Sequence, residues 1–220
     1  EVKIGRPEII KGNNQIRLQT PVQFGGKERT LWYAVPPEFQ DMLSTTGDAP
    51  LLALLIPAMI ANEDIAITAT VSERLLYHLK GRYQAQLKSI RPTLHKIEVT
   101  AKDTYNTGTP NPSVATGFSG GIDSYCVLAD HYYNDPLPAF KITHLIFSNV
   151  GSHCQHRDWF EERYERTATT AERIGLPIIK VDSNLELFFG KGSFQPTMPT
   201  RNTSVALALQ NGIGRFMNAS

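Results

Sequence analysis

Residues 142–150 (ITHLIFSNV) form an almost unbroken apolar run, and no other stretch constrains the fold of this chain as strongly. Such a run is what a strand buried on both faces requires, and strands of that kind belong to parallel sheets covered by helices. The residues around it follow the same plan. Residues 114–118 read as a short apolar strand, 177–181 as a third strand, and 215–219 as the start of a fourth. Helical stretches lie between them at 123–133, 157–174 and 203–210, the second ending at Gly175 with Pro177 just beyond. Strands separated by helices imply parallel βαβ units with right-handed crossovers. Ligands of such sheets bind at the carboxyl ends of the strands, near the switch point.

The first hundred residues have a different rhythm, mixed α and β. Asn13-Asn14 separates two β-compatible runs, 8–11 and 15–18, as a tight turn would. Residues 30–35 (TLWYAV) form another strand candidate, stopped by Pro36-Pro37. Asp48 followed by Pro50 starts a helix over the apolar stretch 51–60, which Pro57 is expected to kink or end early. Residues 65–70 read as a strand. Ser72 then caps a helix whose Leu75, Leu76, Leu79, Tyr83, Leu87 and Ile90 fall on one stripe, closed by Pro92. A strand returns at 95–101. Residues 104–113 (TYNTGTPNPS) have the composition of a linker and mark the expected boundary between an α+β segment, 1–103, and the α/β segment, 114–220.

Charge and composition remove several function classes. Lys and Arg number 22 against 21 Asp and Glu, so the net charge is +1 and nucleic acid is a disfavoured partner. Two cysteines, Cys126 and Cys154, cannot build a disulfide scaffold, and no CxxC pair is present to hold zinc. The longest apolar run, 51–61, is about half a bilayer span, so no membrane partner is expected. No secretory h-region follows Glu1, which makes the cytoplasm the expected location. A first residue other than Met is expected of a processed product or of part of a longer polypeptide.

The chemistry concentrates in residues 117–125 (GFSGGIDSY), between an apolar strand and a helix. Gly120 and Gly121 let the backbone bend sharply and approach an anion, while Ser119 and Ser124 offer hydroxyls at either end of the bend. The free N–H groups of the first helical turn point into the same space, where the helix dipole favours negative charge. Asp123 would repel a bare phosphate, and a divalent cation removes that conflict, because a carboxylate plus phosphate oxygens is how Mg²⁺ is commonly held. The spacing is neither GxxxxGK[ST] nor GxGxxG.

Ser119-Gly120-Gly121-Ile122-Asp123-Ser124 resembles the SGGxDS loop of the PP-loop ATP pyrophosphatases, adenine nucleotide alpha hydrolase-like proteins that include NAD, GMP, asparagine and argininosuccinate synthetases. A second segment, Met198-Pro199-Thr200-Arg201-Asn202, is similar to the P-x-R-N segment of 7-cyano-7-deazaguanine synthases (QueC-like proteins). The resemblance covers about residues 113–220 and implies a Rossmann-like parallel sheet of the PP-loop/HUP type. It also implies cleavage of ATP to AMP and pyrophosphate, activating a carboxylate or carbonyl of a small-molecule substrate for attack by nitrogen. ATP and Mg²⁺ are the implied cofactors. Phe118, Ser119, Gly120, Gly121, Asp123, Ser124, Ser148 and Arg201 are the implied nucleotide contacts, with Asp123 on the metal and Ser119, Asp123 and Arg201 catalytic. The chain departs from the synthases in lacking their cysteine cluster for zinc and in stopping around the fourth strand, so 114–220 is expected to be an incomplete domain. No cysteine precedes residue 126 to act as a glutaminase nucleophile, so ammonia would come from solution or from a partner protein. A homodimer is allowed. Two alternatives stay open: a non-catalytic adenine-nucleotide module of a larger assembly, and a tRNA-modifying PP-loop enzyme.

Other polar residues carry weaker expectations. His144, His153 and His156 with Cys154 suggest a polar loop over the nucleotide more than a metal site. Arg157, Arg163 and Arg166 read as a solvated helix face from which one residue could reach phosphate, and Asp182 as an aid to metal or substrate binding.

Overall fold

The computed structural model describes residues 1–152, 157–189 and 194–219. The first four strands are β1 (Val2–Ile4), β2 (Glu8–Lys11), β3 (Ile16–Phe24) and β4 (Lys27–Val35). The Asn13-Asn14 turn joins β2 to β3 as expected, closed by Gly12 N–H on Gln15 C=O at 2.9 Å. β3 runs past residue 18 because a second tight turn, at Gly25-Gly26, folds it against β4. Both glycines have positive φ, +58° and +72°, the geometry a two-residue hairpin turn needs.

Helix α1 (Asp48–Ala61) is buried almost throughout, and it does not stop at Pro57. An interior proline costs about 3 kcal/mol, but neighbours covering Leu51 to Met59 outweigh that cost. The helix ends in Asn62, whose left-handed φ of 54° closes it. Strand β5 (Ile65–Ser72) leads into α2 (Glu73–Lys80), and Ser72 caps it, its Oγ accepting from Leu75 N–H at 3.1 Å. The single helix expected here is in fact two. At Gly81 the chain leaves helical geometry and restarts as α3 (Arg82–Ile90). Leu75, Leu76, Leu79, Tyr83 and Leu87 pack on the core, whereas Ile90 is 81% exposed and lies off the stripe. Gln84, fully buried, ties α3 to the following chain: its amide donates to Leu79 and Ile97 C=O and accepts from Ile97 N–H. Strand β6 (Val99–Tyr105) begins and ends later than expected and takes in the first two residues of the anticipated linker.

The second segment delivers β7 (Val114–Gly117), α4 (Ile122–Leu128) with a π-helical turn at 129–133, β8 (His144–Ser148), α5 (Arg157–Ile174), β9 (Ile178–Ser183), α6 (Phe194–Ala208) and β10 (Arg215–Met217). All four of its strands pair in parallel, in the order β10-β7-β8-β9. The architecture is α/β.

The sheet continues into the first segment. β9 pairs antiparallel with β4 through Tyr33↔Ser183 and Ala34↔Asp182, and the order runs on as β4-β3-β1-β5-β6, with β2 also on β3, making ten strands in all. The main core likewise draws on both segments: Val205 and Ala208 of α6, with Leu209 just beyond it, pack into the same cluster as the α1 leucines. Within the parallel section, β7 has β8 on one side and β10 on the other, so the connections after β7 and after β9 leave in opposite directions. That makes the carboxyl end of β7 the switch point. No helix among the described residues is long and apolar enough to cross a membrane.

Candidate functional site

Strand β7 delivers the glycine bend to the switch point. Phe118 anchors its near side: the backbone N–H donates to Ile146 C=O at 2.8 Å, and the buried ring meets Tyr125 edge to face with centroids 5.5 Å apart. The bend then closes on itself. Ser119 N–H donates to Ser124 Oγ at 3.1 Å, the two hydroxyls lie 3.4 Å apart, and Gly121 N–H reaches Ser119 Oγ at 3.4 Å. Gly120 sits at φ +74°, a conformation L side chains resist. Helix α4 starts at once, and no side chain caps it, so its first N–H groups stay open to a ligand. Asp123 is exposed in that first turn.

These residues wall a cavity of about 320 Å³. Phe118, Ser119, Gly121, Asp123 and Ser124 supply one side; Ser148, at the end of β8, and Asn202, on α6, supply another. Ser148 Oγ donates to Asn202 Oδ1 at 3.3 Å, which joins those two elements across the cavity. Among the described residues, Arg163 of α5 is the basic side chain of the lining. Gly120 faces the other way, into a neighbouring cavity of about 300 Å³ that shares Ser119 and Arg163 with the first.

Arg201 is placed differently from expectation. Residues 198–202 do not precede the helix; they lie inside α6, which starts at Phe194 and carries Pro199 in its interior. The Arg201 side chain is buried, 2% exposed, and is absent from the lining of both cavities at the bend. Its Nε donates to Thr197 Oγ1 at 2.8 Å, its Nη1 donates to Val150 C=O at 2.8 Å, and its guanidinium stacks 3.7 Å from the Phe189 ring centroid. Gly151, at φ +120°, makes room for it, since a Cβ there would collide with Nη1. Asn202, one residue on, is the member of this segment that lines the cavity.

Asp182 is also outside the lining; its Oδ1 accepts from Asn149 Nδ2 at 2.9 Å and from Ser183 N–H at 3.0 Å in the β8–β9 junction. His144 donates to or accepts from Thr143 Oγ1 at 2.8 Å at the other end of β8, and burial lowers its imidazole from the ordinary value. His153, Cys154, His156 and the side chain of Arg157 lie outside the described residues. Among the described residues no three His, Cys, Asp or Glu side chains gather as a metal site. Asp123 alone still fits Mg²⁺, which takes one carboxylate and fills its other positions with phosphate oxygens and water.

A larger cavity, about 740 Å³, lies at the opposite end of β7, around the connector 107–111. Its floor is a polar network that local sequence patterns did not announce. Asp48, 1% exposed, accepts from Ser72 N–H at 2.7 Å, Tyr105 O–H at 2.6 Å and Gln210 Nε2 at 3.2 Å. Asp48 reads in sequence as a helix start, yet its carboxylate joins α1, β5, β6 and the end of α6.

Comparison of the chain with known proteins finds no matching family model, no matching curated protein and no matching solved structure.

Proposed function

We propose that the chain is an ATP-dependent adenylating enzyme of the PP-loop ATP pyrophosphatase type, with a QueC-like reaction. The observation that carries this reading is the serine-flanked glycine bend at the carboxyl end of β7, closed by Ser119 and Ser124 and opening onto the uncapped α4 and Asp123. In this reading the bend and the first turn of α4 hold the β- and γ-phosphates of ATP. An acceptor carboxylate oxygen attacks the α-phosphorus, the bond to the bridging oxygen breaks, and its electron pair leaves with pyrophosphate. A nitrogen nucleophile then displaces AMP from the acyl carbon and gives its proton to solvent. Catalysis comes from positioning and preorganised N–H dipoles rather than from a covalent protein intermediate. Mg²⁺, when bound at Asp123, supplies charge neutralisation between carboxylate and phosphate.

Incubation with α-labelled ATP, Mg²⁺ and a panel of carboxylates tests the reading. AMP and pyrophosphate are the expected products; ADP and phosphate would overturn it.

One observation favours a second reading, a nucleotide-binding module without turnover. Arg201, the expected catalytic cation, is committed to packing and hydrogen bonds and does not line the cavity. Calorimetric binding of ATP with no cleavage between the α- and β-phosphates, in the full-length protein, would select that module.

A further inference from the structure

The 740 Å³ cavity around the connector 107–111 has no part in the adenylating reading, and it shares no lining residue with the two cavities at the bend. Its size is that of a pocket for one small molecule, about 300–1,000 Å³. The polar groups around it are of two kinds, and the fold keeps them apart.

The wall supplied by α2 offers donors. Arg74 and His78 stand one turn apart on that helix, and both line the cavity. Both are exposed, and Arg74 makes no hydrogen bond or ion pair among the described residues. A guanidinium brings positive charge and paired N–H groups, and an imidazole always has at least one N–H to give. No Asp or Glu lines the cavity among the described residues, so that charge is not cancelled within it.

The floor offers acceptors. Gln210 Nε2 donates to Thr46 Oγ1 at 2.6 Å and to Asp48 Oδ2 at 3.2 Å, with Ser44 Oγ 3.1 Å away. The carboxylate fixes which end of the amide is nitrogen. Oε1, at the other end, accepts no hydrogen bond among the described residues. Tyr105 gives its one hydroxyl proton to Asp48 Oδ2 at 2.6 Å, which leaves the phenol oxygen as an acceptor. Asp48 lies buried beneath these groups and outside the lining, so the floor repels a negative group while the α2 wall attracts one. Leu75, Leu207 and Ile213 make part of the lining apolar.

We propose that this cavity is a binding site for a sugar phosphate, with the phosphate on Arg74 and His78 and sugar hydroxyls donating to Gln210 Oε1 and the Tyr105 oxygen. A phosphate suits the α2 wall because it is an anion with several acceptor oxygens. A hydroxyl suits the floor because it is a neutral donor, and the apolar part of the lining takes the C–H faces of the sugar. Free phosphate satisfies the wall alone and free sugar the floor alone, so the site selects for the two joined. It stands on its own geometry, independently of the adenylating reading.

The test is titration of ribose 5-phosphate and glucose 6-phosphate into the full chain, followed by calorimetry, with inorganic phosphate and ribose as the separate halves. One-to-one binding of a sugar phosphate is expected, about tenfold or more tighter than either half. Arg74→Gln should raise its Kd about tenfold or more, the scale of a hydrogen bond to a charged group, and Arg74→Lys should lose less. Arg74 is exposed, so thermal unfolding of both variants is expected to match that of the wild type. Gly120→Ala, at the bend, should leave the affinity within about twofold. The site is overturned if neither sugar phosphate binds, if Arg74→Gln binds as tightly as the wild type, or if inorganic phosphate binds as tightly as the sugar phosphates. Affinity lost in Gly120→Ala and kept in Arg74→Gln would put the ligand at the bend and overturn it as well.

Discussion

The hydroxyl of Tyr33, on β4, donates to Ser204 Oγ, on α6, at 2.9 Å inside the core. Ser204 donates its own O–H to Arg201 C=O within α6 at 2.7 Å, so the Tyr33 bond ties the first segment to the helix that carries Asn202 into the loop cavity. Burial pushes the Tyr33 phenol well above its ordinary range, which keeps it a donor at any physiological pH. Tyr33→Phe removes the donor and strands a buried acceptor, at a cost of about 1–2 kcal/mol in urea unfolding. An unchanged unfolding midpoint would mean that the bond contributes nothing.

Gly120 contributes its backbone rather than a contact. A Cβ there meets nothing within 4 Å, so the penalty of Gly120→Ala is conformational, about 1–2 kcal/mol from the left-handed φ. Asparagine tolerates that region better, so Gly120→Asn should lose less. Calorimetry with ATP should rank affinity as glycine, then asparagine, then alanine; equal affinities would show that the bend does not depend on this torsion.

Asp123 is exposed, so Asp123→Asn should leave stability within about 0.5 kcal/mol. Its effect should fall on Mg²⁺-dependent AMP formation, which is expected to drop about 100-fold or more. Retained turnover in a quenched-flow assay would remove the carboxylate from the metal site.

Arg201 gives the opposite profile. Arg201→Lys loses the fork that reaches Thr197 and Val150 together, along with the flat stack on Phe189. The expected loss is about 2–3 kcal/mol in stability. Gly151→Ala, which pushes a methyl group into the guanidinium, should lower the thermal midpoint as well. A stable Arg201→Lys protein with an altered KM for ATP would instead put this arginine at the nucleotide.

Two groups set opposite pH limits. Burial first, then Asp48 through its hydrogen bond and charge, pushes the Tyr105 phenol up to about 12 from 10.0. Its stabilisation is complete below pH 10.0 and is lost as the pH climbs through about 12. Burial lowers the His144 imidazole from 6.5, so its contribution is present above that pH and is lost as the pH falls through the lowered value. Urea midpoints across pH should show Tyr105→Phe flattening the alkaline limb and His144→Gln the acid limb; parallel curves would refute both assignments.

Local chemistry made much of the fold legible. The Asn13-Asn14 turn, the Ser72 cap and the parallel strands around residues 142–150 are each set by neighbours in sequence, and each is where the pattern places it. The bend at Ser119 to Ser124 was readable for the same reason. What escaped was long-range. The β4–β9 pairing leaves no mark on either strand, because an antiparallel partner and a parallel one ask for the same apolar residues. Gly81 splits a helix whose stripe continues across the break, so periodicity alone hid it. Pro57 looks like a helix end, yet packing on all sides carries α1 through it. Arg201 was expected at the nucleotide because its segment resembles a binding motif; its burial depends on Gly151 and Phe189, which meet it only after folding.

The β4–β9 junction bears on how the chain is made. Trp32 N–H rests on the Asn184 side chain, 152 positions later, at 2.8 Å. A ribosome therefore releases β4 long before its neighbour exists, and one edge of the early hairpins waits open until the partner 152 positions later is made. Closing so distant a pair is slow, and until it closes the waiting edge is a template for a strand of another molecule. The junction that unites the two segments is thus also where a nascent copy is most exposed to pairing with the wrong chain.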